Sequence, residues 1–80
     1  MSQVHHYMVD FESRASGRVE FAGDETADLK AAKSRARTVS KREGSAAVVA
    51  YAKAPHGIFR SIGHIIFVEG FVTEIDGVVA

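Results

Sequence analysis

Four histidines are the side chains of this chain best suited to metal binding or acid–base chemistry. His5 and His6 are adjacent and therefore point to opposite faces of a strand, while His56 and His64 lie far from them in sequence. The chain has no cysteine that could complete a zinc site with them. We therefore predict that the protein binds no metal and no cofactor.

Catalysis by a nucleophile would need a hydroxyl beside a histidine that a carboxylate orients. The candidate hydroxyls lie in no recognisable catalytic signature: Ser13, Ser16, Ser61 and Thr73. The glycines are spread among turns and form no phosphate-binding loop. Glu69 and Glu74 could face each other across a hairpin, but a solvated strand face explains them more simply. We predict a protein that is not an enzyme.

The strongest structural pattern is a helix from Asp24 to Gly44. Asp24 or Thr26 can cap its start, Lys41 and Arg42 lie near its carbonyl end, and Gly44 can end it in a left-handed conformation. Its apolar residues recur at helical spacing and form one narrow stripe: Leu29, Ala32, Ala36 and Val39. The pattern predicts that this helix packs on a sheet.

The same helix concentrates positive charge. Between Lys30 and Arg42 it carries six cations and no acid, although the whole chain has ten basic and ten acidic residues. At about 100° per residue, four of them fall on one flank of the helix, which we call the cationic flank: Lys30, Lys33, Arg37 and Lys41. Arg35 and Arg42 project from the other side. The predicted partner-binding residues are Lys30, Lys33, Arg35, Arg37 and Lys41.

Three interpretations of these cations stay open. They could only keep the helix soluble, or they could bind nucleic-acid phosphates with salt-dependent affinity and no sequence readout. The neutral net charge and the absence of a surface aromatic pair argue against the nucleic-acid interpretation. In the third interpretation they dock on an acidic or normally phosphate-occupied surface of a protein partner, with an exposed sheet edge adding apolar contact.

Alternation of apolar and polar residues predicts the strands. Residues 58–62 are ambiguous between a short edge strand and an ordered loop. The fold class is α+β, a four- to five-stranded mainly antiparallel sheet with one helix on one face, in the order β-β-α-β-(β)-β-β. The predicted strands are Val4–Glu12, Arg18–Ala22, Ala46–Lys53, His64–Val68 and Phe71–Ile75, with a tight turn at Glu69-Gly70.

The same alternation predicts which side chains are buried. Val19 and Phe21 should point inward, and Leu29→Ala should cost about 2–5 kcal/mol. The residues expected in the core are Leu29, Val39, Phe21, Val49 and Phe67. Depending on register, the exposed sheet face should carry some of His6, Met8, Val48, Ile65 and Phe67. Unpaired sheet edges leave room for a homodimer.

Length and composition favour one folded, soluble domain. Eighty residues with 46% hydrophobic content and one proline are typical of a single small domain, residues 1–80. The first ten residues lack the pattern of a signal peptide, and no segment has the roughly 20 apolar residues of a membrane span. Because the chain also lacks cysteine, we predict a cytoplasmic location.

Two segments together cover most of the predicted helix and the strands after it: ADLKAAKSRARTVSKREGSAAVVAYA, residues 27–52, and the hairpin GHIIFVEGFVTEIDG, residues 63–77. They resemble the helix and following strands of some small phage-encoded anti-CRISPR proteins. The resemblance implies a single β-rich domain with one helix that inhibits a type I CRISPR surveillance complex by binding it. In one such group, an Ala-Lys pair and a nearby cation, similar to Ala32, Lys33 and Arg35, meet the complex where target DNA would run.

This resemblance implies inhibition by occlusion of the nucleic-acid site. Imitation of DNA by charge is not implied, because inhibitors that imitate DNA are usually strongly acidic, whereas this chain is neutral and has a basic helix. We therefore predict a non-enzymatic binding module of a phage or mobile element that docks on a nucleic-acid-handling complex of the host. The alternatives are a weak, sequence-independent nucleic-acid-binding protein and a small dimeric accessory domain.

Overall fold

A computed structural model describes residues 5–53 and 59–77 of the chain. It confirms the α+β class, with one helix and five strands among these residues. The elements in chain order are β1 (His5–Glu12), β2 (Val19–Phe21), α1 (Leu29–Glu43), β3 (Ser45–Lys53), β4 (Phe59–Val68) and β5 (Phe71–Gly77). Glu69 and Gly70 both have positive φ, 50° and 89°, and form the predicted tight turn between β4 and β5.

The five strands form one antiparallel sheet in the order β2-β1-β3-β4-β5. The helix packs across β1, β3 and β4 and leaves the two edge strands uncovered. The core therefore lies between α1 and the three central strands. Its buried members are Tyr7, Val9, Ala32, Ala36, Val39, Ala46, Val48, Ala50, Ile65 and Phe67.

The sequence left residues 58–62 ambiguous between an edge strand and a loop, and the described part of this segment is the beginning of strand β4. Residues 59–62 belong to β4, which runs without interruption to Val68 and pairs with β3. The register shifts where Ala50 pairs with Gly63 and Tyr51 with Ser61, so one extra residue is accommodated in β4. The predicted first residue of this segment, Ile58, lies outside the described residues.

The helix begins later than its sequence pattern indicates. Thr26 is held in an antiparallel bridge with Tyr7, with backbone N···O distances of 2.7 and 3.0 Å, and this bridge keeps the chain before α1 extended. Asp28 is the N-cap, and its carboxylate accepts a hydrogen bond of 3.2 Å from the Ala31 amide. Neither Asp24 nor Thr26 has this role.

The prediction that Val19 and Phe21 point into the core is wrong. Their side chains are 69% and 60% exposed. Phe21 pairs with Asp10 and Val19 with Glu12, and cross-strand partners share a face of the sheet. Val9, which precedes Asp10 in β1, is buried under α1, and successive residues of a strand point to opposite faces. Val19 and Phe21 therefore lie, with the two acids, on the face opposite the helix.

The register of the strands and the position of the helix also determine which of the other residues predicted to be buried are buried. Val39 and Phe67 are buried as predicted, whereas Leu29 and Val49 are only half-buried. Leu29 is the first residue of α1 and packs at the margin of the core, so the cost expected for its complete burial is an upper bound. Of the residues proposed for the open sheet face, His6 and Met8 lie there. Val48, Ile65 and Phe67 face the helix instead.

Candidate functional site

Small buried alanines set the orientation of α1 on the sheet. Ala32 and Ala36 are fully buried, so the helix backbone lies close to the strands. Gly44, with φ of 98°, ends the helix, and its amide donates to the Ser40 carbonyl at 2.8 Å. This orientation turns the cationic flank toward the β4–β5 side of the sheet. All four of its side chains are exposed.

Two contacts fix the position of the cationic flank relative to the β4–β5 hairpin. The Arg37 guanidinium lies 5.5 Å from the centroid of the Phe67 ring, in cation–π geometry. The aliphatic part of the Lys41 side chain lies so close to Gly70 that a methyl group at that glycine would collide with it. Positive charge therefore lies directly beside this hairpin.

Arg35 is separated from the other predicted binding residues. Its Nη1 donates hydrogen bonds to the carbonyl oxygens of Ala22, at 3.2 Å, and Asp24, at 3.1 Å. The side chain is half-buried and holds the chain between β2 and α1 against the helix. Arg42 lies on the same side, 6.0 Å from the centroid of the Phe11 ring. The structure thus brings together Lys30, Lys33, Arg37 and Lys41, but not Arg35.

A buried serine ties the helix to the hairpin. The Ser40 hydroxyl is fully buried, donates to the Arg37 carbonyl at 2.9 Å and accepts from the Gly70 amide at 2.9 Å. Nearby, the Glu69 amide donates to the Gly44 carbonyl at 2.9 Å. The bonds donated by the Gly70 and Glu69 amides join residues far apart in sequence, so the helical pattern alone gave no sign of them.

The edge strand next to the cationic flank exposes apolar side chains. Within the described part of the chain, β5 pairs with β4 and has no strand on its other side. Val72 and Ile75 are 46% and 65% exposed and pair with Phe67 and Ile65, so they lie on the helix side of the sheet. We call the cationic flank together with Val72 and Ile75 the helix–edge surface.

Two histidine–carboxylate pairs lie on the opposite face of the sheet. His64 Nε2 is 2.5 Å from Glu74 Oε2, and His6 Nδ1 is 2.9 Å from Glu25 Oε1. Both pairs cross between elements, so sequence spacing did not reveal them. Glu69 lies in the turn, 3.4 Å from the Arg14 guanidinium, and does not face Glu74.

These pairs do not extend into a larger constellation within residues 5–53 and 59–77. The hydroxyl of Ser13 accepts from the Ser16 amide, and that of Thr73 donates to the Ile66 carbonyl. Over those residues, no group of three or more histidine, aspartate or glutamate side chains is placed to hold a metal ion. The candidate ligand His56 lies outside them.

Asp10 is half-buried on the same open face, and desolvation by burial raises its pKa from the ordinary value of 3.8. The folded state therefore binds this proton more tightly than the unfolded state, and the charged carboxylate destabilises the fold as pH rises through the raised pKa. Asp10→Asn should increase the free energy of unfolding at neutral pH and change it little in acid, where both states are protonated.

Denaturant unfolding at neutral and acidic pH measures this effect. Glu12→Gln is the matched control, because it removes a carboxylate from an exposed position two residues along the same strand. An equal change for Asp10→Asn at both pH values would show that the burial of its charge is not the cause.

Comparisons with known family models, curated proteins and solved structures each found no match to this chain. Within the described residues, no helix is both long enough and apolar enough to cross a membrane. The geometry of the described surfaces is therefore the basis for the functional proposal.

Proposed function

We propose that the protein is a non-enzymatic binding module that docks on a protein partner through the helix–edge surface. One observation carries this proposal: the cationic flank lies beside exposed apolar side chains of β5, an edge strand of the sheet that the described residues form. Arg37 contacts Phe67, and the strand partner of Phe67 is the exposed Val72. An apolar centre with a polar rim is the usual composition of a protein interface.

The chemistry of this surface defines its partner. Lys33, Arg37 and Lys41 favour an acidic surface, and the open backbone of β5 can accept a strand from the partner. A protein surface that normally binds nucleic-acid phosphate is itself basic and would repel these side chains, so of the two partner surfaces considered from the sequence the acidic one fits. Inhibition of a nucleic-acid-handling complex would therefore be steric, with the module docked on an acidic region next to the nucleic-acid path.

The resemblance to anti-CRISPR proteins gives this proposal its most specific form, a phage or mobile-element inhibitor of a type I CRISPR surveillance complex in the host cytoplasm. Of the three residues that the resemblance assigns to contact with the complex, Lys33 is exposed. Ala32 is fully buried, and Arg35 holds the chain before α1. Contact with such a complex would therefore depend on Lys33 and its neighbours on the cationic flank.

The experiment is a double charge reversal, Lys33→Glu with Arg37→Glu, tested against partners captured from nuclease-treated host lysate and against a purified type I surveillance complex. We expect the affinity to fall at least about tenfold, since like charges would then face each other across the interface. Both side chains are exposed, so circular dichroism should show an intact fold.

The matched control reverses Arg18 and Arg60, which are exposed and lie outside the helix. Equal losses in the two double variants would contradict a local interface. Loss of every partner after nuclease treatment, with steep salt dependence, would favour the nucleic-acid alternative. Self-association through β5, in place of any partner, would favour the dimeric accessory domain.

A further inference from the structure

The sheet face opposite α1 carries a second surface that the proposed function does not use. Its centre, across β1, β3 and β4, is apolar and half-buried. The side chains that form this floor are Met8, Ala47, Val49, Tyr51 and Ile66. Among the described elements, no helix covers them, because α1 is on the other face.

Two side chains of β2, Val19 and Phe21, form a wall along one side of this floor. Phe21 borders a hollow of about 230 Å³ that is also lined by Met8, Glu25 and Tyr51. Val19 borders a neighbouring hollow of about 130 Å³ that reaches across β1 to β3 and β4. We call the two hollows and their wall the trough. The outward orientation of β2, which the sequence did not predict, creates it.

Acidic side chains lie along the trough, and one of them, Glu25, is paired with His6 at 2.9 Å. Glu25, Asp10 and Glu12 follow the direction of β1 along it, and no lysine or arginine is among the described residues that line the two hollows. The six helix cations lie on the other side of the sheet or at its helix-facing margin. The carboxylates of the trough and the cationic flank therefore lie on opposite faces of the sheet.

We infer that the trough binds a basic amphipathic helix of a protein partner. The apolar stripe of such a helix would cover the floor, and its cations would meet the carboxylates of Asp10 and Glu12. Alternate residues of a strand are about 6.6 Å apart, close to the roughly 6 Å between helix positions i and i+4. One basic flank of the helix can therefore follow β1.

A second copy of this chain fits the trough less well. The apolar stripe of its own α1 is already buried against its own sheet, so a second copy cannot offer that stripe. Two troughs placed face to face would bring like charges together. The raised pKa of Asp10 agrees with a cationic occupant, because a nearby cation would offset the desolvation of its carboxylate.

The test uses a fluorescein-labelled 18-residue helix of leucine and lysine with one apolar face as the probe, and a scrambled peptide of the same composition as its control. Fluorescence anisotropy against the intact protein should show tighter binding of the amphipathic peptide. Asp10→Asn with Glu12→Gln should weaken that binding about fivefold or more, since two carboxylates lose their charge. Phe21→Ala should weaken it by removing the wall.

Matched controls separate the trough from general electrostatics. Glu20→Gln with Asp24→Asn removes the same charge from exposed positions that line neither hollow. Phe71→Ala removes an exposed ring from the opposite edge of the sheet. Both should keep the affinity within about twofold. Equal losses in test and control variants, or equal binding of the scrambled peptide, would overturn the inference. So would sedimentation showing self-association that Phe21→Ala abolishes.

Discussion

Replacement of Phe67 by alanine should lower the free energy of unfolding by about 3–5 kcal/mol. The side chain is fully buried between the sheet and α1 and is among the largest of the buried side chains. Its removal leaves a cavity and also removes the ring beneath the Arg37 guanidinium. Because domains are stable by only about 5–15 kcal/mol, a chain of this size should be close to unfolding after the change.

Phe71→Ala is the matched control for this prediction. Phe71 begins the next strand, but its side chain is 75% exposed. Its truncation should therefore change the free energy of unfolding by no more than about 0.5 kcal/mol. Urea denaturation followed by circular dichroism measures both variants. Equal stability losses for the two phenylalanines would contradict the arrangement of β4 and β5 relative to the helix.

The fold class was predictable because it depends on local periodicity. The helical spacing of Ala32, Ala36 and Val39 and the alternation along β1 are properties of single segments. These three helix residues are buried, as are Tyr7 and Val9 of β1, in agreement with the pattern. The turn at Glu69-Gly70 was predictable for the same reason, since its position follows from two flanking apolar runs and a glycine. Local signals therefore identified the helix and most of the strands.

The orientation of β2 was not predictable in this way. Arg18 to Ala22 alternates in polarity, and an alternating strand can place either set of residues toward the core. The choice is made by pairing with β1, which puts Phe21 beside Asp10, and by the width of the helix, which does not reach β2. The pairing of β2 with β1 and the position of the helix are both properties of the tertiary structure. A short edge strand beyond the helix can expose apolar residues that a central strand would bury.

In the candidate site, too, the features that depend on local helix geometry were predictable, and those that depend on tertiary contacts were not. Helical geometry correctly placed Lys30, Lys33, Arg37 and Lys41 on one exposed flank. It could not show that Arg35 is bonded to the carbonyls of the chain before α1, because that contact depends on how the segment folds back. Nor could it show that the cationic flank faces the β4–β5 hairpin. That relation follows from the sheet order and from the bonds of Ser40.

Ser40→Ala should lower the free energy of unfolding by about 1–3 kcal/mol, because it leaves the buried Gly70 amide without its acceptor. The substitution removes a single oxygen, and alanine favours a helix more than serine does. A loss of stability would therefore reflect the missing bond between α1 and the β4–β5 turn. Hydrogen exchange should report it locally, as faster exchange of the Gly70 amide than of amides in β1.

Ser34→Ala is the control, since Ser34 is an exposed serine of the same helix and the substitution gains the same helix propensity. It should leave stability within about 0.5 kcal/mol and the Gly70 amide unchanged. Because the Ser40 bond holds the hairpin beside the cationic flank, Ser40→Ala should also weaken partner binding through the helix–edge surface while Ser34→Ala does not. A Ser40→Ala protein with unchanged stability and exchange would show that the turn is held to the helix by its other contacts, such as the bond from the Glu69 amide to the Gly44 carbonyl.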